Sequence, residues 1–465
     1  MTTGSQQQQV LAPQQKAIYQ THFKALPLVA GGKGQHIDVV DPNTGEQRTI
    51  LDGCSGAAVS SIGHGDEEIR QAMKDAADDV VYNFPILMAN KQSEALAQYL
   101  IDISPEGAFE SALITGSGSE SIENTLKIIR KYHLTNGDTK RVKFLSRHQS
   151  YHGFTIGAMS IADNARVREF EDILIPREIC PKTSACYPYR HQKKGETTEQ
   201  YKDRLLAELE ESFQKEGPET IGAFIAETVT GSTFGCNPPI PGYLDGARDI
   251  CHKHGALFVL DEVMCGMGRS GTVHAWEQFL EGPGPDIQTI GKTLGAGYVT
   301  VAGILISPQV MKLFRDNNAP IAGAQTYHQH SFNSQVALAV QKKVIRDGLI
   351  DNIRKTGNYL GAQFAEVLKD NKHVGNVRGV GGFWAIEFVK DKATKEPFPA
   401  DVKFAPQFAA KLYENGVFAL CAGGTVDSKV GDHALFSPAF SLTKEEADEI
   451  VAAVKKTCDH LDSIY

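Results

Sequence analysis

Long apolar runs are missing from this sequence. No stretch of its 465 residues reaches the roughly 18 to 20 apolar residues that cross a bilayer, so no membrane role is expected. Cysteine is thinly spread, at Cys54, Cys180, Cys186, Cys236, Cys251, Cys265, Cys421 and Cys458. No two of them form a CxxC pair, which argues against a disulfide scaffold and a structural zinc site. A basic excess is also absent. Lys plus Arg is 47 against 56 for Asp plus Glu, a formal net charge of −9. That sign is wrong for a protein built to neutralise nucleic-acid phosphates or anionic lipid. The N-terminus lacks the basic start and apolar core of a secretory signal, and the arginines of a mitochondrial transit peptide. A cytoplasmic protein in a reducing setting is the expectation.

Apolar residues make up 41% and charged residues 22%, so the chain can build a large core. At about 150 residues per domain it has room for about three folding units. The glutamine-rich residues 1–15 read as a floppy tail. Gly31 to Gly34 and Asp41 to Gly45 are turn clusters flanking the short strand Ile37 to Val40. Ile69, Met73, Ala76, Ala77 and Val80 carry helical spacing, and a second helix follows from Ser93. From about Ser111, short apolar strands alternate with helices: Ala112–Ile114, Val142–Leu145, Ile221–Ala226, Ala256–Leu260 and Ile304–Ile306. This alternation predicts an α/β fold with a mainly parallel sheet covered by helices. Residues 195–200 are polar and read as a loop. Beyond about Asn333 the pattern changes to long helices, one strand near Phe383 to Val389 and a final helix from Thr443, a separate α+β lobe.

The first of these strands runs into Thr115-Gly116-Ser117-Gly118-Ser119-Glu120 and then a helix, on which Glu123 and Lys127 are spaced to pair. Ser117 and Glu120 fit a capping box. Glycines and a helix start together offer backbone N–H groups and a positive dipole end to an anion. An ordinary strand–turn–helix junction would read the same way. Two glycines match the dinucleotide fingerprint GxGxxG, but Ser121 stands where its third glycine belongs.

Asp261 ends the apolar run 256–260, where open α/β sheets place ligands. Lys292 follows in the glycine-rich turn 291–297. Gly291-Lys292-Thr293 is no Walker loop, because Asp286 occupies the glycine position. A lysine, a carboxylate and a phosphate cradle suit pyridoxal phosphate chemistry, in which the lysine forms a Schiff base and the acid pairs with the ring nitrogen. Asp261-Glu262 could instead start a helix or bind a metal, and Lys292 could be a surface lysine.

Five motifs in order carry more: residues 115–124, Ser150-Tyr151-His152-Gly153, Ala226-Glu227-Thr228-Val229, residues 260–271 and Ile290-Gly291-Lys292-Thr293-Leu294. From about Asp38 to the last helix the sequence closely resembles the class III (omega) aminotransferases, fold type I pyridoxal-phosphate enzymes. The resemblance implies a large domain with a seven-stranded, mainly parallel sheet over residues 66–335. A C-terminal small domain would span residues 336–465, and residues 16–65 would pack with that smaller lobe. It implies that Lys292 carries the cofactor and shuttles protons, and that Asp261 pairs with the pyridinium. Ser117, Gly118 and Ser119 would hold the phosphate, Tyr151 and Val263 the two ring faces, and His152 and Glu227 would lie beside the cofactor. Thr326 would reach the phosphate of a neighbouring subunit, making the unit a homodimer or larger. His328 and His330 read as loop histidines, and no metal is expected.

The sequence also departs from its relatives. Met264 stands where many have a glutamine contacting the cofactor hydroxyl. Near Gly431-Asp432 the arginine often used to bind 2-oxo acids is absent, leaving Lys429 as the nearby cation. Arg378 is a further candidate that reads as structural. Cys54, Tyr82 and Phe84 fall where pocket walls are expected. The expected reaction passes an amino group from an omega-amino acid, diamine or long-chain amine to a 2-oxo acid such as pyruvate, with ping-pong kinetics. An aminomutase, a decarboxylating transaminase or a racemase would share the same core residues. A non-catalytic binding module on this fold would be expected to lose Lys292 or Asp261, and both are intact.

Overall fold

The computed structural model describes residues 17–465; the tail expected over residues 1–15 lies outside them. Its largest sheet has seven strands in the order Ser111–Thr115, Ala302–Ile306, Ile287–Ile290, Leu257–Asp261, Ile221–Glu227, Lys143–Arg147, Lys182–Thr183. Ala302–Ile306 is antiparallel to both neighbours, and the other pairings are parallel.

The continuous apolar strands are explained by burial on both faces. Every residue of Ile221–Glu227 is buried. Phe224, Ala226, Phe258 and Leu260 point into one core. Ala223, Ile225, Leu257 and Val259 point into the other. Helix Thr198–Glu216 covers the first face with Tyr201, Leu205, Leu209 and Phe213, a four-residue spacing that keeps one stripe inward. Fully burying one such side chain is worth about 1.5–3 kcal/mol. Helix Gly118–Thr135 covers the second face with Ile122, Leu126 and Ile129.

Two smaller sheets complete the fold. Leu28–Lys33, His36–Val40 and Gln47–Asp52 form a meander that adds Val417–Phe418 in parallel beside Leu51 and Asp52. Val374–Val380, Phe383–Phe388, Asp432–Phe436 and Leu420–Gly423 form an antiparallel sheet. Helices Leu349–Val367, Phe404–Glu414 and Lys444–Asp462 share a core with it.

Three local expectations are corrected. Residues 195–200 are not all loop: Thr197 and Gln200 cap each other reciprocally and helix Thr198–Glu216 begins there. Gly31 to Lys33 belong to a strand, and the chain turns at Gly34, whose φ of 58° suits glycine. The C-terminal region holds five paired strands rather than one, because others are either interrupted by glycine, as in Val374–Val380 and Leu420–Gly423, or too short to carry a pattern, as in Val417–Phe418.

Candidate active site

A cavity of about 470 Å³ opens beside the C-terminal ends of the parallel strands. Strand register sets its floor. Glu227 and Asp261 end adjacent parallel strands and are direct partners across them. Asp261 Oδ1 accepts from the Val263 amide at 3.1 Å and the Thr289 hydroxyl at 2.9 Å. Its Oδ2 lies 2.8 Å from His152 Nδ1. Glu227 accepts from the Tyr151 amide at 3.0 Å and the Gly231 amide at 2.9 Å. Burial pushes its carboxyl pKa up, against those bonds and nearby His152.

Lys292 enters the cavity from the other side, just after strand Ile287–Ile290. Its φ is 44°, left-handed for a non-glycine residue, a strain typical of functional positions. Burial pulls its amine down to about 8, while Asp261 and Glu227 oppose that shift. An amine so placed is neutral in a useful fraction near neutral pH and can act as nucleophile or base.

The anion cradle is a helix start. Helix Gly118–Thr135 begins after Ser117, whose hydroxyl accepts from the Glu120 amide at 3.2 Å. The capping box is only half made, since the Glu120 carboxylate takes the Gly116 amide at 2.8 Å instead. Likewise Glu123 accepts from the Gly157 amide at 2.8 Å, not from Lys127, its expected partner. In the first turn, the Gly118 and Ser119 amides have no intrahelical acceptor and face a cavity wall that also includes Ser117. Packing requires glycine here: a Cβ at Gly118 would lie 2.7 Å from Val263 Cγ1.

Ser117, Gly118, Ser119, Tyr151, His152, Glu227, Asp261, Val263 and Lys292 thus converge on one cavity, with Met264 in its wall. Other expected positions do not line it. Cys54 is buried behind it, its thiol donating to the Gly56 carbonyl, and Ala57 and Val59 form the wall instead. Tyr82 and Phe84 are surface residues of this chain, 41% and 40% exposed. The Tyr82 hydroxyl donates to the carbonyl of exposed Thr326. Lys429 is exposed and lines a separate hollow with Phe398 and Lys403. Arg378 is buried in an ion pair with Glu387 at 2.7 Å, a structural role. Glu262 is buried, accepting from Thr228, Ala275 and Trp276, so it faces neither solvent nor cavity. His330 caps helix Ser331–Arg346, and His328 Nδ1 accepts from the Gln325 amide at 3.3 Å.

Sequence reasoning missed Thr289 and Ser232. Thr289 is, with Gln288, one of two polar side chains in the fully buried strand Ile287–Ile290, a legible signal that polar partners were needed there. Ser232 sits in a loop wall with no such signal.

A buried aspartate, a lysine of lowered basicity and a helix start around one cavity, on a mainly parallel seven-stranded sheet, define a fold type I pyridoxal-phosphate enzyme. The class III aminotransferase family model matches residues 27–458. The chain is 41% identical over 410 residues to an uncharacterized aminotransferase of Schizosaccharomyces pombe, covering 88% of each chain. It is 32% identical over 445 residues to the diaminobutyrate–2-oxoglutarate transaminase of Halomonas elongata, covering 93% of this chain and 91% of the relative. A thermostable (S)-enantioselective omega-transaminase from Thermomicrobium roseum superposes with a TM-score of 0.87 at 30% identity. That match covers 95% of this chain and 94% of the other. The chain belongs to the class III aminotransferases and is a pyridoxal-phosphate-dependent transaminase.

The residues present fit that cofactor. One amine of lowered basicity, one multiply bonded carboxylate and two unclaimed helix-start amides are what its aldehyde, ring nitrogen and phosphate need. The Gly118–Val263 contact leaves the cradle no room for a side chain. Among the described residues no helix is long and apolar enough to cross a membrane.

Proposed function

We propose that the enzyme moves an amino group from an omega-amino acid, a diamine or a long-chain amine to a 2-oxo acid such as pyruvate, in two half-reactions with ping-pong kinetics. The convergence of Lys292 and Asp261 on one cavity carries this reading. The omega-amino donor is favoured by likeness to the diaminobutyrate transaminase.

When bound, pyridoxal phosphate supplies an aldehyde that carries the amino group and an electron-poor ring that takes up negative charge. Lys292 would hold it covalently, Asp261 its ring nitrogen, and Ser117, Gly118 and Ser119 its phosphate. Tyr151 and Val263 would flank the ring, with His152 and Glu227 beside it. Lys292, once free, moves a proton between substrate carbon and its own amine, a task suited to a base of pKa near 8. Asp261 keeps its orientation through three donors on separate segments.

A second copy of the chain completes the site in this proposal, bringing its Thr326 to the phosphate. Supporting it, Val80, Val81, Tyr82, Phe84, Ile86, Leu87 and Met88 form one exposed apolar stretch beside Thr326. The division into a pyridoxal-phosphate domain over 66–335 and a small lobe built from 16–65 and 336–465 belongs to the same reading. Pairing of Gln47–Asp52 with Val417–Phe418 supports it. Eight free cysteines suit a reducing, cytoplasmic location.

The test is a spectral titration of purified holoenzyme with a panel of amines and no acceptor. A donor that converts the visible cofactor band, followed by its return on adding pyruvate, is expected. A spectrum that no amine shifts would overturn the reading.

A further inference from the structure

We propose that Arg166 binds the carboxylate of the substrates, in a small annex beside Tyr151. The inference rests on the aminotransferase reading, which requires an anionic acceptor to be held near the cavity.

The other nearby cations are held by the fold, although Arg269 keeps two buried nitrogens without a hydrogen-bond partner and lines neither the cavity nor the annex. Arg378 is ion-paired with Glu387. Arg269 is buried and donates to the Gly382 and Pro438 carbonyls. Arg147 donates to the Glu227 carbonyl and the Thr230 hydroxyl. Arg168 donates to the Asp427 carbonyl at 2.9 Å. Lys429, the cation expected from the sequence, lines a different hollow.

Arg166 differs from all of these. It sits on the short helix Ala165–Arg168, where its amide is held by Asn164 Oδ1 at 3.1 Å. Its guanidinium lies 5.3 Å from the centre of the Tyr151 ring. Among the described residues no carboxylate lies within ion-pair distance of it, and its side chain is exposed. With one hydrogen bond to the Tyr151 hydroxyl and no carboxylate partner, the guanidinium has further donors left for an arriving carboxylate.

The space suits that ligand. The annex is about 50 Å³ and is lined by Tyr151, Arg166, Ser232, Thr233, Gly424 and Ser428. That is room for a small polar group such as a carboxylate. Tyr151 and Ser232 also line the main cavity, so the two spaces share a wall. The Thr233 hydroxyl is buried with no hydrogen-bond partner, which an arriving anion would supply. The outer wall is tied down, with Gln149 Nε2 donating to the Gly424 and Thr425 carbonyls at 3.3 Å each.

The test compares wild-type, Arg166→Gln and Arg166→Lys holoenzyme. Calorimetry with propanoate, a non-reacting monocarboxylate, reads binding directly. Kinetics with a reacting panel amine then compare pyruvate, 2-oxoglutarate and propanal as acceptors. We expect Arg166→Gln to weaken propanoate and raise KM for pyruvate and 2-oxoglutarate by about 10- to 100-fold. Propanal should be unchanged, and Arg166→Lys should recover part of the loss. A rise in KM for 2-oxoglutarate alone, with propanoate weakened, places the distal carboxylate at Arg166. Propanoate affinity and both acid KM values within twofold of wild type would overturn the proposal. A wild-type enzyme that converts no amine would sink the aminotransferase reading instead, while the propanoate titration would still report on Arg166.

Discussion

His152 Nδ1 lies 2.8 Å from Asp261 Oδ2, and the other nitrogen of this buried imidazole has no partner among the described residues. Burial of a half-partnered ring is a cost that the fold tolerates only where the ring fixes something else. Here it fixes the carboxylate that ends strand Leu257–Asp261, together with Thr289 and the Val263 amide.

Asp261→Asn should therefore keep the fold while removing the charge that the cofactor ring nitrogen needs. We expect kcat to fall by about 10³-fold or more, with far-ultraviolet circular dichroism unchanged. His152→Asn should cost less, about tenfold, because Thr289 and Val263 still orient the acid. A kcat within threefold of wild type in Asp261→Asn would contradict the assignment.

Lys292→Ala should abolish steady-state turnover, a loss beyond the 10²- to 10⁴-fold that a general base alone typically contributes. Cofactor should still bind through the cradle but should not be trapped by borohydride. Peptide mapping of wild-type protein after borohydride should place the label on Lys292 and nowhere else.

The lowered basicity of Lys292 has a stability consequence in the apoenzyme. Its pKa is 10.5 ordinarily and about 8 in the fold, so between those values the unfolded chain binds more protons. Stability contributed by this group then rises with pH across that window, and the full penalty is felt below about 8. Apo Lys292→Met should melt above apo wild type at pH 7, with the gap shrinking as pH rises from 8 to 10. A gap independent of pH would show that the amine is not desolvated.

Gly118→Ala should weaken cofactor binding, because its Cβ would meet Val263 Cγ1 at 2.7 Å. A tenfold or larger rise in Kd for pyridoxal phosphate is expected, about 1.4 kcal/mol. Adding Val263→Ala should restore part of it, since that removes the clashing methyl. Non-additivity of the pair by fluorescence titration is the decisive reading.

Replacing Leu87, which is 76% exposed, by Arg tests the apolar stretch at 80–88. If that surface joins two copies, sedimentation should show a shift toward monomer, accompanied by loss of cofactor retention. A variant with unchanged mass and activity would remove this stretch from the interface.

Strand–helix alternation announced the mainly parallel sheet, because strands buried on both faces must be continuously apolar. Thr115 to Glu120, Asp261 and Lys292 were legible for a similar reason: each places a polar group at the end of an apolar strand, where no core demands it. Short elements were not legible. Val417–Phe418 is too brief to carry a pattern and is a strand only because Gln47–Asp52 lies beside it. Cys54, Tyr82, Phe84 and Lys429 showed the same limit within the site. They were expected at pocket walls, yet where a side chain lies is set by what packs beside it, as Thr326 does for Tyr82, Gly56 for Cys54, and Phe398 and Lys403 for Lys429. Sequence by itself thus determined the chemistry available: one lysine, one aspartate and one cradle. Tertiary structure decided the company they keep, from the lowered basicity of Lys292 to Arg166 over Tyr151, because burial and charge are properties of packed surroundings and not of a residue.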